Sequence, residues 1–224
     1  MKRLVLVFFT TFLAVSVSAQ KSVTTFLGIP VDGSKSAMIQ KLKAKGFVYK
    51  QAAGVLVGQF NGFDVKLSVV TDRDKVSRIV VADRTELDEA SIKIRFNNLC
   101  SQFDRNKKYV SFENYSIPDD EDISYNMLVK NKRYEAVYYK VPESVDSASL
   151  IKDMQEIVFS RYTREQLENP TEEIIKDLED IRTDYGINLL LKCPVWFMID
   201  ETYGKYRIIM YYDNMYNRPD GEDL

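Results

Sequence analysis

Three stretches of alternating residues, each folded back by a tight turn, constrain this chain more than anything else in it. Val55–Phe60 and the run Phe63, Val65, Leu67, Val69 flank Asn61-Gly62, a dipeptide that suits a two-residue hairpin turn. Asp64, Lys66 and Ser68 interleave the second run, so one face is expected to be buried and the other wet. Asp72-Arg73-Asp74 turns the chain into a third strand, Val76–Ala82. A second hairpin is expected from Ile123–Val129, a turn at Lys130–Lys132, and Arg133–Val141, stopped by Pro142. A third reads Val195–Glu201, a turn around Tyr203-Gly204, and Lys205–Asp213. Short turns join antiparallel neighbours, so the sequence predicts an antiparallel sheet of about seven strands.

Helical periodicity fills the gaps between hairpins. Phe26–Phe47 reads as a short strand, a turn and one amphipathic helix. Asp32 or Ser34 is placed to cap that helix, Met38, Ile39 and Leu42 share its apolar face, and Gly46 closes it ahead of Phe47. Lys35, Lys41, Lys43 and Lys45 lie mostly off that face and read as solvated. A second helix is expected from Thr85, with Thr85 and Asp88 at capping-box spacing and Ile92, Phe96, Leu99 and Phe103 as its buried stripe. A polar connection, Asn106–Asp122, follows. Ser147–Tyr162 and Glu172–Tyr185 complete the helices, with a break at Asn169-Pro170-Thr171 and Gly186 closing the last. The expected class is α+β, with helices packed on one face of an antiparallel sheet and the opening unit docked on it. The alternation of hairpins and helices leaves room for two similar halves, 20–104 and 105–216.

Residues 1–19 have the form of a signal peptide. Lys2 and Arg3 precede the short apolar run Leu4–Val15, and Val17-Ser18-Ala19 supplies small residues ahead of a cut before Gln20. The expectation is one α+β domain over 20–216, a frayed tail over 217–224, and a periplasmic or secreted location. No later stretch is apolar enough to span a bilayer. With 31 basic and 33 acidic residues and no basic stripe, nucleic acid is not an expected partner. Cys100 and Cys193 suit either a disulfide, formed in an oxidising compartment, or two buried thiols. A bridge would close a long loop, for which the chain-entropy model gives about 4 to 5 kcal/mol.

The chain has no histidine, which removes Ser-His and Cys-His nucleophile activation and histidine metal sites. No nucleotide-binding glycine fingerprint or nucleophile elbow occurs. The sequence therefore assigns no catalytic residue, no cofactor and no metal. The acidic run Asp119-Asp120-Glu121-Asp122 has the oxygen ligands calcium prefers, but reads more simply as a solvated turn. Of 14 tyrosines, only Tyr49 precedes Cys100. Neighbours on a strand face opposite ways, so one of Tyr138 and Tyr139, and one of Tyr211 and Tyr212, turns outward. Tyr139, Tyr211 and Tyr212 are the candidate binding surface, for an envelope or extracellular protein or a glycan.

The segments LGIPVDGSKSAMIQKLKAKGF, IKIRFNNLCSQF and IPDDEDISYNMLVKNKRYEAVYYK, behind a leader ending SAQ, resemble a family of exported proteins of Bacteroidetes-type bacteria. The order Gly-Ile-Pro, helix, Gly-Phe, hairpin also resembles the helix-plus-sheet modules of β-lactamase-inhibitor-like proteins and outer-membrane assembly lipoproteins. The second resemblance implies a protein-binding role, without the lipid-anchor cysteine of those modules. The function expected is that of an exported non-enzymatic binding module. The alternative is a carboxylate-dependent envelope hydrolase using the Asp119–Asp122 loop.

Overall fold

A computed structural model describes residues 22–142 and 147–218, with residues 147–149 described by backbone alone. The expected leader, and the tail beyond residue 218, lie outside the described residues. The fold is α+β, and the chain divides into two compact units. One comprises residues 23–142 and 190–218, and the other residues 147–189.

The first unit is built on an eight-stranded antiparallel sheet. Its strands are β3 (Val48–Lys50), β4 (Val55–Phe60), β5 (Phe63–Asp72), β6 (Lys75–Asp83), β7 (Tyr109–Val110), β8 (Glu135–Lys140), β9 (Pro194–Thr202) and β10 (Lys205–Asp213). They lie in the order β3-β4-β5-β6-β10-β9-β8-β7. Two four-strand meanders thus meet along β6 and β10, where Ile209 pairs with Ala82 and Tyr211 with Val80. Three two-residue turns set the register within the meanders, at Asn61-Gly62, Arg73-Asp74 and Tyr203-Gly204. All six residues have positive φ, as the hairpin turn that matches strand twist requires.

A small ribbon, β1 (Thr25–Phe26) with β2 (Ile29–Pro30), and helix α1 (Lys35–Ala44) open the unit. Ser34 caps α1 by accepting from the Ala37 amide at 3.3 Å. At the other end Gly46 sits at φ 96°, and the Phe47 amide returns to the Leu42 carbonyl at 3.2 Å. Met38 and Leu42 are buried against the sheet. Phe26 joins two of its strands, with its ring centroid 5.0 Å from that of Phe60 and 4.9 Å from that of Tyr212.

Helix α2 (Glu89–Arg105) lies on the same face, over β7, β9 and β10. It begins four residues later than the sequence suggests, because Asp88 rather than Thr85 caps it, accepting from the Ser91 amide at 2.8 Å. Ile92, Phe96, Leu99 and Phe103 are buried as expected, and Cys100 is buried beside them. Phe96 meets Phe197 edge-on at 5.0 Å, and Phe103 stacks on Tyr138 at 4.6 Å. Arg95, also buried, pairs with buried Asp83 at 3.3 Å and lies 3.8 Å over the Phe63 ring, tying α2 to the ends of two strands.

The expected second hairpin forms differently. Ile123–Leu128 is a helix, α3, not a strand. Asp122 caps it by accepting from the Tyr125 amide at 2.7 Å, and Ile123 and Asn126 turn inward at helical spacing. A short apolar run does not distinguish strand from helix by period, and here the cap decides. The partner of β8 on that side is instead β7, within the stretch expected to be a polar connection.

Cys100 and Cys193 are both buried, and no disulfide joins them. Cys100 lies on α2 beside Tyr138, whose hydroxyl donates to the Cys100 carbonyl at 3.4 Å. Cys193 instead accepts the Lys140 amide at its carbonyl, at 2.9 Å. The Cys100 thiol sits among Tyr138, Asp104 and Tyr115, whereas the Cys193 thiol meets Lys140, Thr24 and Tyr216, so the two have different surroundings. In the tail, Asn217 is not frayed, since its side-chain amide donates to Asp32 and to the Val76 carbonyl, both at 2.8 Å.

The second unit contains α4 (Ser147–Arg161), α5 (Arg164–Glu168) and most of α6 (Glu172–Leu191). Tyr185 bonds Asp153 at 2.8 Å and Tyr162 bonds Asp177 at 2.8 Å, which makes α4 and α6 antiparallel. Gly186 does not end α6, which continues to Leu191. Ile187, Leu189, Leu190 and Leu191 carry on as helix formers, and their combined propensity outweighs one glycine.

Candidate functional site

Strand parity sorts the candidate tyrosines. Tyr206, Ile208, Met210 and Tyr212 are buried on the face of β10 that carries α1 and α2. Tyr212 is therefore a core residue rather than a surface one, wedged between Phe26 and Phe60. Burial raises its phenol above the ordinary range. Tyr211 and Tyr139 point to the opposite face and are half-buried.

On that opposite face the sheet assembles a cluster around Tyr211. Trp196, directly across on β9, stacks on it with centroids 3.9 Å apart and ring planes 14° from parallel. The Arg78 guanidinium, from β6, lies 4.9 Å from the Tyr211 centroid and 5.6 Å from that of Trp196. Asp213 holds both ends together. Its carboxylate accepts two bonds from Arg78 and one, at 3.0 Å, from the Trp196 indole N–H. The bond to Asp213 raises the Arg78 guanidinium further, against its partial burial. The Tyr211 phenol is raised by burial, with Arg78 pulling the other way.

Around this cluster the face is apolar between ion pairs. Met198 and Ile209 face each other across β9 and β10, and Val137 lies beside Trp196 on β8. Tyr139 extends the patch toward the β7 edge, where the exposed Phe112 ring lies 5.3 Å away. The flanking charges are matched among themselves: Arg207 with Asp200 at 2.7 Å, and Arg133 with Glu135 at 3.1 Å.

The Asp119–Asp122 stretch is built into the scaffold. The carbonyls of Asp119 and Glu121 hold the Lys93 ammonium at 2.7 and 2.6 Å. Glu121 accepts from Lys132, Tyr134 and Asn126, and the Lys132 bond holds its carboxyl below the usual range. Among the described residues no three Asp, Glu, Cys or His side chains gather as a metal ion would require.

Trp196, Arg78 and Asp213 were absent from the sequence-derived set. Trp196 was within reach, because a two-residue turn at Tyr203-Gly204 puts residue 196 opposite residue 211. Arg78 was not, since the β6–β10 pairing joins residues from distant parts of the chain. No protein-family model, curated protein or solved structure matches this chain.

Proposed function

We propose that this chain is an exported, non-enzymatic binding protein that takes a protein partner on the sheet face bearing Trp196, Tyr211 and Tyr139. The observation that carries the reading is an apolar, aromatic patch left part-exposed on the face opposite α1 and α2, with Trp, Tyr and Arg at its centre. Those three residue types dominate binding energy where proteins meet. A protein suits the patch better than a glycan. Sugar recognition sets free polar groups beside an aromatic ring, whereas here Asp213, Asp200 and Glu135 are already paired and the two rings stack on each other. The leader-like residues 1–19 support export. The resemblance to β-lactamase-inhibitor-like modules supports the same kind of role.

The test immobilises residues 20–224 and challenges them with envelope extract and, separately, with a glycan array. Trp196→Ala and Tyr139→Ala are expected to weaken capture of a recurrent protein by about tenfold or more, as central aromatic anchors do. Wild-type capture by both variants, with circular dichroism unchanged, would remove this face from the function. Glycan retention lost on Trp196→Ala would move the partner to sugars.

A further inference from the structure

The turn between β4 and β5 is the chain's only Asn-Gly pair. Glycine after asparagine carries no side chain to crowd its backbone nitrogen, so that nitrogen can attack the asparagine side-chain amide carbon. The bond to the side-chain NH2 then breaks, ammonia leaves, and a cyclic imide forms. Water opens the imide on either side, giving aspartate or an isoaspartyl link. The chain loses ammonia and gains water, and no oxidant or cofactor is needed. Asn61 and Gly62 are both exposed, so water reaches them.

The Asn61 side chain is nevertheless held at both ends. Its Nδ2 donates to Gln102 Oε1 at 2.6 Å, and its Oδ1 accepts from the Arg95 guanidinium at 3.5 Å. Both partners belong to α2, two helical turns apart and so on one side of it. Arg95 is itself fixed by two bonds to Asp83, at 3.3 and 3.4 Å, and by the Phe63 ring. The hold on Asn61 therefore rests on the docking of α2, not on the turn itself. Imide formation makes a flat carbon tetrahedral and expels the nitrogen that Gln102 holds. Bonds at both ends of the amide fix its plane and oppose that change. The Arg95 contact is long and its charge is committed to Asp83, so it orients the amide more than it activates the carbonyl.

We propose that Asn61-Gly62 is a deamidation site that α2 holds shut through Gln102 and Arg95, and that the turn is converted only when this part of α2 comes away from the sheet. Conversion changes the fold. The isoaspartyl product adds a methylene to the main chain of a two-residue turn that needs positive φ at both positions, 51° and 78°. That upsets the β4–β5 register. The aspartyl product instead sets a second carboxylate where Arg95 already meets Asp83. Either way the turn keeps an irreversible record of a release of α2.

Residues 20–224 are to be incubated in mildly alkaline buffer, native and in urea, and mapped by proteolysis and mass spectrometry for the mass gain of amide to acid at residue 61. Conversion is expected to be fast in urea and much slower in the native chain. Gln102→Ala should raise the native rate about fivefold, as loss of one side-chain hydrogen bond does, with the melting temperature nearly unchanged. Gln102→Glu keeps an acceptor for the Asn61 amide and should stay as slow as wild type. Asn131, also exposed and at positive φ, 53°, is followed by Lys132 and should remain an amide throughout. Native wild type converting as fast as the unfolded chain, or Gln102→Ala converting no faster than wild type, overturns the proposal. So does a Gln102→Glu variant that converts as fast as Gln102→Ala.

Discussion

Burial governs the chemistry of the two thiols. Desolvation pushes the Cys100 thiol up to about 11, against a hydrogen bond with Tyr138 that pulls it down. Cys193 is raised by burial too, with the Lys140 ammonium opposing. The thiolate is the nucleophile, so at pH 8 Cys100 should react with iodoacetamide about a hundredfold more slowly in the native chain than once unfolded, and Cys193 should be slowed as well. Mass spectrometry of the unreduced, denatured protein should then find two added groups. Fast native labelling would contradict the burial, and no label after unfolding would mean a disulfide. Arg95 shows the same dependence on surroundings. Nothing in its local sequence marks it as a core residue, yet it is buried because Asp83, Asn61 and the Phe63 ring arrive from the sheet to meet it.

Caps and closing glycines explain where the helices stand, and Gly186 is the informative exception. At a helix end with positive φ, replacing it with alanine would strain the backbone. Within α6 the same change removes the flexibility of glycine, and nothing beyond the adjoining residues and helix backbone lies within 4 Å of where the new methyl would go. Gly186→Ala should therefore stabilise the helical unit by about 1 kcal/mol. A higher unfolding midpoint followed at 222 nm checks this, and a lower one would place a helix end at residue 186. The α3 segment teaches the converse. Its residues read equally well as a strand, and the Asp122 cap with the inward Ile123 and Asn126 settles it as helix.

At the scale of the molecule, the order of elements repeats. A helix and four strands, α1 with β3–β6, are followed by a helix and four strands, α2 with β7–β10. Within the second set, α3 intervenes between β7 and β8, and the helical unit between β8 and β9. Yet β8 and β9 are direct antiparallel neighbours, paired from Glu135–Met198 to Tyr139–Pro194. A hairpin could join them, so the helical unit is an insertion in a complete sheet. Replacing residues 143–189 with a short Asn/Gly linker should leave a cooperatively unfolding sheet unit with native Trp196 fluorescence. A chain that keeps secondary structure but loses its cooperative transition would show that the sheet depends on the insertion.

The sequence alone was enough for what is local. Asn61-Gly62 and Tyr203-Gly204 closed their hairpins, Ser34 and Gly46 bounded α1, and the Ile92, Phe96, Leu99, Phe103 stripe predicted which side of α2 would be buried. Each depends on φ, ψ or spacing within a few residues, which neighbouring side chains dictate directly. Tertiary structure decided what is relational. Which of Tyr211 and Tyr212 faced the core waited on which side of β10 the helices covered. The company of Arg78 with Trp196, and the failure of Cys100 and Cys193 to bridge, waited on pairings between distant parts of the chain. Alternation divides a strand into two faces but names neither, and only a packed helix gives one of them to the core.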